Sequence, residues 1–370
     1  MSTPAKSSEV PQQIELFDSW FATKDETDNS RTLAFWDVIP WRLISHKRRG
    51  KLPEVITFDG VKIDDQREAT IFLTPAILRP NPNSKESRVL FPGVREELVE
   101  RALRKMAVHK LAATQVQPNP QDNSMAVAIA FSLHQLRQEL LHTGHGFNMV
   151  QLREALQVMR LCDVAVECQG ETFVHGKAGP ILPTLEHITD PADTDGKRTL
   201  YRVTFHPLAS AAILGEFYHP INYVRVMTLT QPLARWITNL LNVRFRYATQ
   251  GIGEQKRSFR LTLKRVLSDS GMHREPRLFD NVERIREAIN ELREAGFLER
   301  GMTLDQIETL KYEKTAGRPK ISGAEWELYA SNRFAREIIE GNRAKKTSGG
   351  RGKVGSTKGG EQSALVAPEK

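Results

Sequence analysis

Cysteine is nearly missing from this sequence: Cys162 and Cys168 are the only two in 370 residues. Two thiols cannot build a disulfide framework or, by themselves, a zinc site, so they read as reduced core or strand residues of a cytoplasmic protein. No apolar run approaches the roughly 18 residues of a membrane span. The polar stretch Met1 to Val10, with one lysine, lacks the apolar centre of a signal peptide. Signatures of catalysis are absent too. Gly176-Lys177-Ala178-Gly179 and Gly251-Ile252-Gly253-Glu254 lack the spacing of a phosphate-binding loop. His142 and His145 lie in a glycine turn without Glu or Cys partners, which favours turn residues over metal ligands. No His-apolar-His pair is present to hold the metal of an origin-nicking nuclease. The expectation is a protein that is not an enzyme, with no cofactor, no metal and no membrane partner.

What is present is positive charge. Fifty-three Lys+Arg against 45 Asp+Glu leave a formal +8. Such an excess suits a polyanion, because each neutralised phosphate releases counterions. Ribosomal and membrane-surface proteins share that balance, so the layout of the chain has to decide. A hydrophobic content of 39% allows a packed core, and 370 residues accommodate two ordinary domains with tails.

The layout divides the chain four ways. Residues 1–54 alternate polar stretches with aromatic clusters such as Trp20-Phe21, Phe35-Trp36 and Trp41, and read as a flexible N-terminal arm partly ordered by docking. Its basic knot, His46 to Lys51, is either a solvated linker or a phosphate contact. In residues 55–216 an amphipathic helix over 94–111 precedes a β-prone run, Met125 to Phe131. Ser132 then suits the cap of a helix carrying Leu133, Leu136, Leu140 and Leu141. Gly144 and Gly146 make a turn, and Asn148 opens a helix with Val150, Leu152, Leu156, Met159 and Leu161. Strands over 164–168, 171–175 and 199–205 follow, with Asp190 to Gly196 placed as a wing loop. Strand, helix, glycine turn, helix and hairpin is the winged-helix order.

Residues 217–340 repeat that order without evident residue identity. Helices are expected over 230–247, 258–268 and from Pro276 to Glu294, the last burying Leu278, Phe279, Val282, Ile285, Ile289 and Leu292. Gly296 stops that helix, strands follow near 297–299 and 307–312, and Lys314 to Lys320 reads as a wing tip. A strand at 326–329 and a helix over 333–339 close the unit. Residues 341–370 are Gly-, Ser- and Lys-rich, a disordered basic tail. The expected class is α+β and helix-rich: two winged-helix DNA-binding domains between an extended arm and that tail.

Candidate DNA-binding residues follow from this placement. Arg277, Asn281, Arg284 and Ala288 step along one face of the helix ending at Glu294. Arg can bond guanine bidentately and Asn can do so to adenine, so that face suits base readout, a solvated charged face being the alternative. Arg274, Arg286, Lys264 and Arg265 are candidates for phosphates. In the first unit Asn148, Gln151 and Arg153 are the matching positions. Arg318 and Lys320, in the Gly-Arg-Pro wing tip, suit either an A·T-rich minor groove or a plain basic turn. Near the N-terminus, Gln13, Leu16 and Phe17 form a Gln-x-x-Leu-Phe peptide suited to docking two apolar anchors in a pocket.

The order of elements resembles the TrfA-type plasmid replication initiators of the tandem winged-helix group. The likeness rests on Gln13 to Phe17, on Phe131 to Met159, on Leu229-Thr230 leading to Trp236, and on Val282 to Leu298. It implies theta-type initiation: binding to direct-repeat (iteron) double-stranded DNA, opening of an adjacent A+T-rich segment, and recruitment of host replicative helicase with DnaA. It further implies a monomer–dimer equilibrium with copy control, and a sliding-clamp contact through Gln13, Leu16 and Phe17, with Ile14 where the commonest form has Leu. The location implied is cytoplasmic, on plasmid and nucleoid. The other reading that the residues leave open is a winged-helix transcriptional regulator or repressor on an operator.

Overall fold

Short-range capping chemistry sets where the helices begin. In the computed structural model, Ser132 Oγ accepts from Gln135 N at 3.1 Å while Gln135 Oε1 accepts from Ser132 N at 2.8 Å. Asn148 and Gln151 form the same reciprocal pair, both bonds at 2.9 Å. Each pair satisfies two backbone donors that a helix start would otherwise leave open. The structure describes residues 29–33, 36–43, 55–62, 68–79, 87–109, 113–118, 125–168, 178–189, 199–214, 218–245, 248, 257–313 and 319–340.

In chain order the first half contains β1 (Asn29–Leu33), β2 (Ile56–Lys62), β3 (Glu68–Thr74), β4 (Ala76–Leu78), β5 (Arg88–Leu90) and α1 (Val94–Val108). Then come β6 (Ala113–Pro118), β7 (Met125–Phe131), α2 (Leu133–His142), α3 (Met149–Leu161), β8 (Asp163–Cys168) and β9 (Gly179–Pro180). β10 (Thr184–Thr189), β11 (Thr199–Thr204) and α4 (Pro207–Leu214) complete it. β12 (Tyr218–Asn222), α5 (Tyr223–Met227) and α6 (Pro232–Arg244) lead into the second half. That half holds β13 (Phe259–Thr262), α7 (Leu263–Asp269), α8 (Leu278–Glu294), α9 (Leu304–Ile307), β14 (Glu308–Glu313) and β15 (Lys320–Leu328), and a last helix over residues 332–340.

The strands pair antiparallel throughout. One sheet runs β10-β11-β7-β6, and a three-stranded sheet in the second half runs β13-β15-β14. β8 leaves the hairpin expected of it and joins β2-β3-β8-β9, so the first hairpin is β10–β11. The expected strand at 171–175 and the wing loop at 190–196 lie outside the described residues.

Two apolar cores result. The first collects Leu98, Leu103 and Met106 of α1, Val127, Ile129 and Phe131 of β7, Leu136 and Leu140 of α2, and Leu152, Leu156 and Met159 of α3. In the second, Trp236, Ile237 and Leu240 of α6 meet Val282, Ile285, Ile289 and Leu292 of α8 and Trp326 of β15.

Further expectations change. Residues 258–268 are not one helix, because Phe259-Arg260-Leu261-Thr262 pairs with β15, Leu261 opposite Trp326. Thr262 Oγ1 then accepts from Arg265 N at 3.2 Å and starts α7 there. Pro276 stands outside α8, whose N-cap is Arg277. Residues expected to belong to a flexible arm also enter the interior: Trp36, Ile39 and Trp41 are fully buried. The Trp36 ring stacks on His206 with centroids 4.6 Å apart.

That N-terminal segment sits where the halves meet. Asp37 accepts from Arg104 through both carboxylate oxygens, at 2.7 and 2.8 Å, and Arg104 also reaches Glu100 at 3.0 Å. The Asp37 carbonyl accepts from Asn239 of α6 at 3.0 Å. Beside it, Arg235 of α6 pairs with Glu97 of α1 at 3.2 Å. Gly271, at φ +72, brings the turn after α7 against Pro40; a Cβ there would lie 2.4 Å from the Pro40 carbonyl oxygen.

Candidate nucleic-acid interface

Both second helices of the helix–turn–helix stretches, α3 and α8, begin at the surface and bury their later turns. Leu152, Ala155, Leu156 and Met159 carry α3 into the first core. On α8 the buried set is Asn281, Val282, Ile285, Ala288, Ile289 and Leu292. The stripe expected to read bases is therefore split. Arg277 is exposed and Arg284 half-exposed, whereas Asn281 and Ala288 are fully buried.

Asn281 is committed to its own preceding loop. Its Oδ1 accepts from Glu275 N at 2.9 Å, and its Nδ2 donates to the carbonyls of Glu275 and Arg277 at 2.9 and 3.0 Å. Arg284 Nη1 donates to the His273 carbonyl at 3.0 Å and pairs with Glu275 at 3.3 Å. Together these two side chains hold the loop 273–277, which displays Arg274 and Arg277. A buried amide with three backbone partners is a structural fixture, because breaking it would strand buried polar groups.

The phosphate candidates separate in the same way. Arg286 is bound by Glu308 and Glu283, and Glu308 also accepts from Trp326 Nε1 at 2.7 Å. Hydrogen bonds donated to Glu308 hold the Arg286 guanidinium well above the usual arginine pKa, so this cation belongs to the packing of α8 on β14 and β15. Arg265 pairs with Asp269 at 3.5 Å and lies over the Phe259 ring at 5.7 Å. Lys264, Arg274 and Arg277 are exposed and form no ion pair among the described residues. Arg274 and Arg277 stand just before α8, and Lys264 is in the first turn of α7.

In the first half the oxygens of Asn148 and Gln151 are taken by the helix cap described above. Arg153 is exposed, its Nε 3.3 Å from the Tyr201 hydroxyl. Lys320 is exposed at the start of β15, in register with Glu313. Arg318, Gln13, Leu16 and Phe17 lie outside the described residues.

Four positions that the apolar pattern places on these helices are exposed: Leu141 at the end of α2, Leu161 at the end of α3, and one near the start of each of α3 and α8. Val150 of α3 is 68% exposed and Phe279 of α8 is 52% exposed. Each stands two residues after its helix N-cap, Asn148 and Arg277 respectively. Apolar character alone hid them; only the cap-relative position marks them as a pair.

Cys162 is buried and His145 part-buried. Burial pushes the Cys162 thiol far up, leaving no thiolate for chemistry. Burial lowers the His145 pKa, and its Nε2 donates to the Met227 carbonyl at 2.7 Å. Among the described residues no group of three His, Cys, Asp or Glu is placed to hold a metal ion. No helix among them is long and apolar enough to cross a membrane.

No protein-family model and no curated protein matches the chain. Among solved structures it is similar to a Pi initiator protein in complex with iteron DNA. There the identity is 11%, the TM-score 0.37, and the match covers 64% of this chain and 94% of that one. It is also similar to the homing endonuclease I-WcaI bound to its DNA recognition sequence, at 12% identity and a TM-score of 0.16, over 71% and 91% of the two chains. Likenesses this distant carry no argument about fold or function.

Proposed function

We propose that the chain binds double-stranded DNA through two winged-helix units and serves as a plasmid replication initiator acting on direct repeats. The observation that carries this reading is a topology that occurs twice. Strand, helix, turn, helix and hairpin occur in that chain order as β7, α2, α3 and β10–β11, with β8 and β9 set aside into another sheet, and again as β13, α7, α8 and β14–β15, with the short α9 before the hairpin. In both sheets the last strand lies between the other two, β7-β11-β10 and β13-β15-β14. That arrangement leaves the start of the second helix on the surface, a part with which winged helices address a groove and its flanking phosphates. Arg153, Lys264, Arg274, Arg277 and Lys320 supply cations in the two units, and the formal charge of +8 favours the same partner.

The initiator role rests on the resemblance to TrfA-type proteins and on two DNA-reading units in one chain, which suits asymmetric direct repeats. Contacts with host helicase, DnaA and the sliding clamp, the last through Gln13, Leu16 and Phe17, belong to this proposal. A mobility shift on DNA flanking the gene, at two salt concentrations and against excess competitor, tests the binding. A ladder of competitor-resistant complexes is expected. Binding that ignores sequence and vanishes with salt defeats the proposal. Failure of the gene with its flanking repeats to sustain a plasmid defeats the initiator role alone, and a single inverted operator would favour a transcriptional regulator.

A further inference from the structure

We infer that Val150 and Phe279 are thymine readers: each places an apolar side chain against thymine C5-methyl groups in the major groove. This rests on the DNA-binding reading above and adds a specificity determinant to each unit.

Single exposed apolar residues are ordinary on protein surfaces. These two are distinguished by where they stand. Both are the second residue of the second helix in a strand–helix–turn–helix series, and both are more than half exposed. Neither is needed by the core beneath. Leu152 to Met159 and Val282 to Leu292 fill the cores without them. The first turn of such a helix is the part that reaches base edges.

The surroundings favour DNA over a protein partner. Exposed Gln151, Arg153 and Gln157 flank Val150 along α3. Phe279 follows exposed Arg274 and Arg277, which have no ion-pair partners among the described residues. One apolar group beside amides and cations at the positive end of a helix, with the carboxylates one turn on, Glu154 and Glu283, paired to Arg88, Arg95 and Arg286, complements a groove edged with phosphates. Within that groove the apolar feature is the thymine methyl, and apolar side chains are its recognised partners. Asp280, exposed beside Phe279, excludes a phosphate at that point and leaves the groove floor for the ring.

The test uses the full chain. Bound sequences are selected from a duplex library with a randomised segment. Uracil is then substituted for thymine position by position in the selected duplex, which deletes one methyl each time. Burying one such carbon is worth about fourfold in affinity. The expected result is two clusters of positions where uracil weakens binding about fourfold, one lost in Val150→Ala and the other in Phe279→Ala. Circular dichroism checks that the variants remain folded. If no sequence is enriched, sequence-specific DNA reading fails and this inference with it. If a sequence is enriched but uracil is tolerated throughout, or both clusters persist in both variants, DNA binding stands and the thymine readers are overturned.

Discussion

Removing the Asp37 carboxylate should destabilise the whole chain, and the size of the loss follows from what it strands. Arg104 is 2% exposed and receives two carboxylate oxygens from Asp37 and one from Glu100. Deleting one partner of a buried ion pair costs about 3–5 kcal/mol, because the remaining charge keeps its desolvation penalty without its compensation. Glu100 stays at 3.0 Å, so Asp37→Ala belongs at the lower end, about 3 kcal/mol. The main-chain contact from Asn239 to the Asp37 carbonyl is untouched, which isolates the carboxylate. With a urea dependence of about 1–3 kcal/mol per molar, the unfolding midpoint should fall by at least about 1 M. Trp36 and Trp41, both buried with centroids 6.4 Å apart, make tryptophan fluorescence the natural readout. Asp37→Asn keeps one acceptor for Arg104 and should fall between the alanine variant and the unmodified chain. A loss below about 1 kcal/mol for Asp37→Ala would refute the reasoning, since it would class the pair with solvent-screened surface bridges.

Asn281→Ala should weaken DNA binding equally on every sequence, and Arg284→Ala likewise, because both act by holding the 273–277 loop; base-pair-selective loss in a substitution series would return either side chain to base reading. Unfolding should register the Asn281 change as well, by about 1–3 kcal/mol for the groups left unpaired. Gly271→Ala combines a left-handed backbone at φ +72 with a Cβ 2.4 Å from the Pro40 carbonyl, whereas Gly144→Ala at φ +86 meets nothing within 4 Å. Both pay a backbone cost of about 1–2 kcal/mol; the Gly271 variant should lose clearly more in thermal unfolding, and equal losses would deny the contact with Pro40. His145 has a folded pKa below its ordinary 6.5, chiefly through burial, so the unfolded chain takes up the proton first on acidification. Its contribution is present above that ordinary value and is lost as pH falls through the lower folded value, so urea stability should drop with acidification and His145→Gln should flatten the drop.

Features encoded by short spacings were legible in the sequence. Ser132 with Gln135 and Asn148 with Gln151 mark helix starts because both partners of each cap lie within four residues. Met125 to Phe131 shows its strand in composition alone. The strand Phe259–Thr262 was hidden because four residues satisfy a period of two and a period near four almost equally well, and only its pairing with β15 decides. Trp36, Ile39 and Trp41 have no period at all. What buries them is tertiary: Arg104 of α1 and Asn239 of α6 converge on Asp37 between them.

The misreadings on α8 have one geometric cause. A stripe drawn through Leu278, Phe279, Val282, Ile285, Ile289 and Leu292 assumes that every apolar residue of the helix faces inward. The residues actually buried are Asn281, Val282, Ile285, Ala288, Ile289 and Leu292. At about 100° per residue the centre of the second set is rotated by roughly 40° from that of the first. The rotation carries Phe279 out and brings Asn281 and Ala288 in. It is stable because the 273–277 loop folds over that flank and satisfies the Asn281 amide, so an interior polar residue costs little. The same turn of the helix that removes Asn281 from the surface therefore presents Phe279 to it. On α3 no such rotation is needed, since Val150 lies nearly opposite the buried Leu152, Ala155, Leu156 and Met159. Two helices thus arrive at the same exposed first-turn position by different routes, which is the pattern expected if that position is kept apolar for contact with a partner.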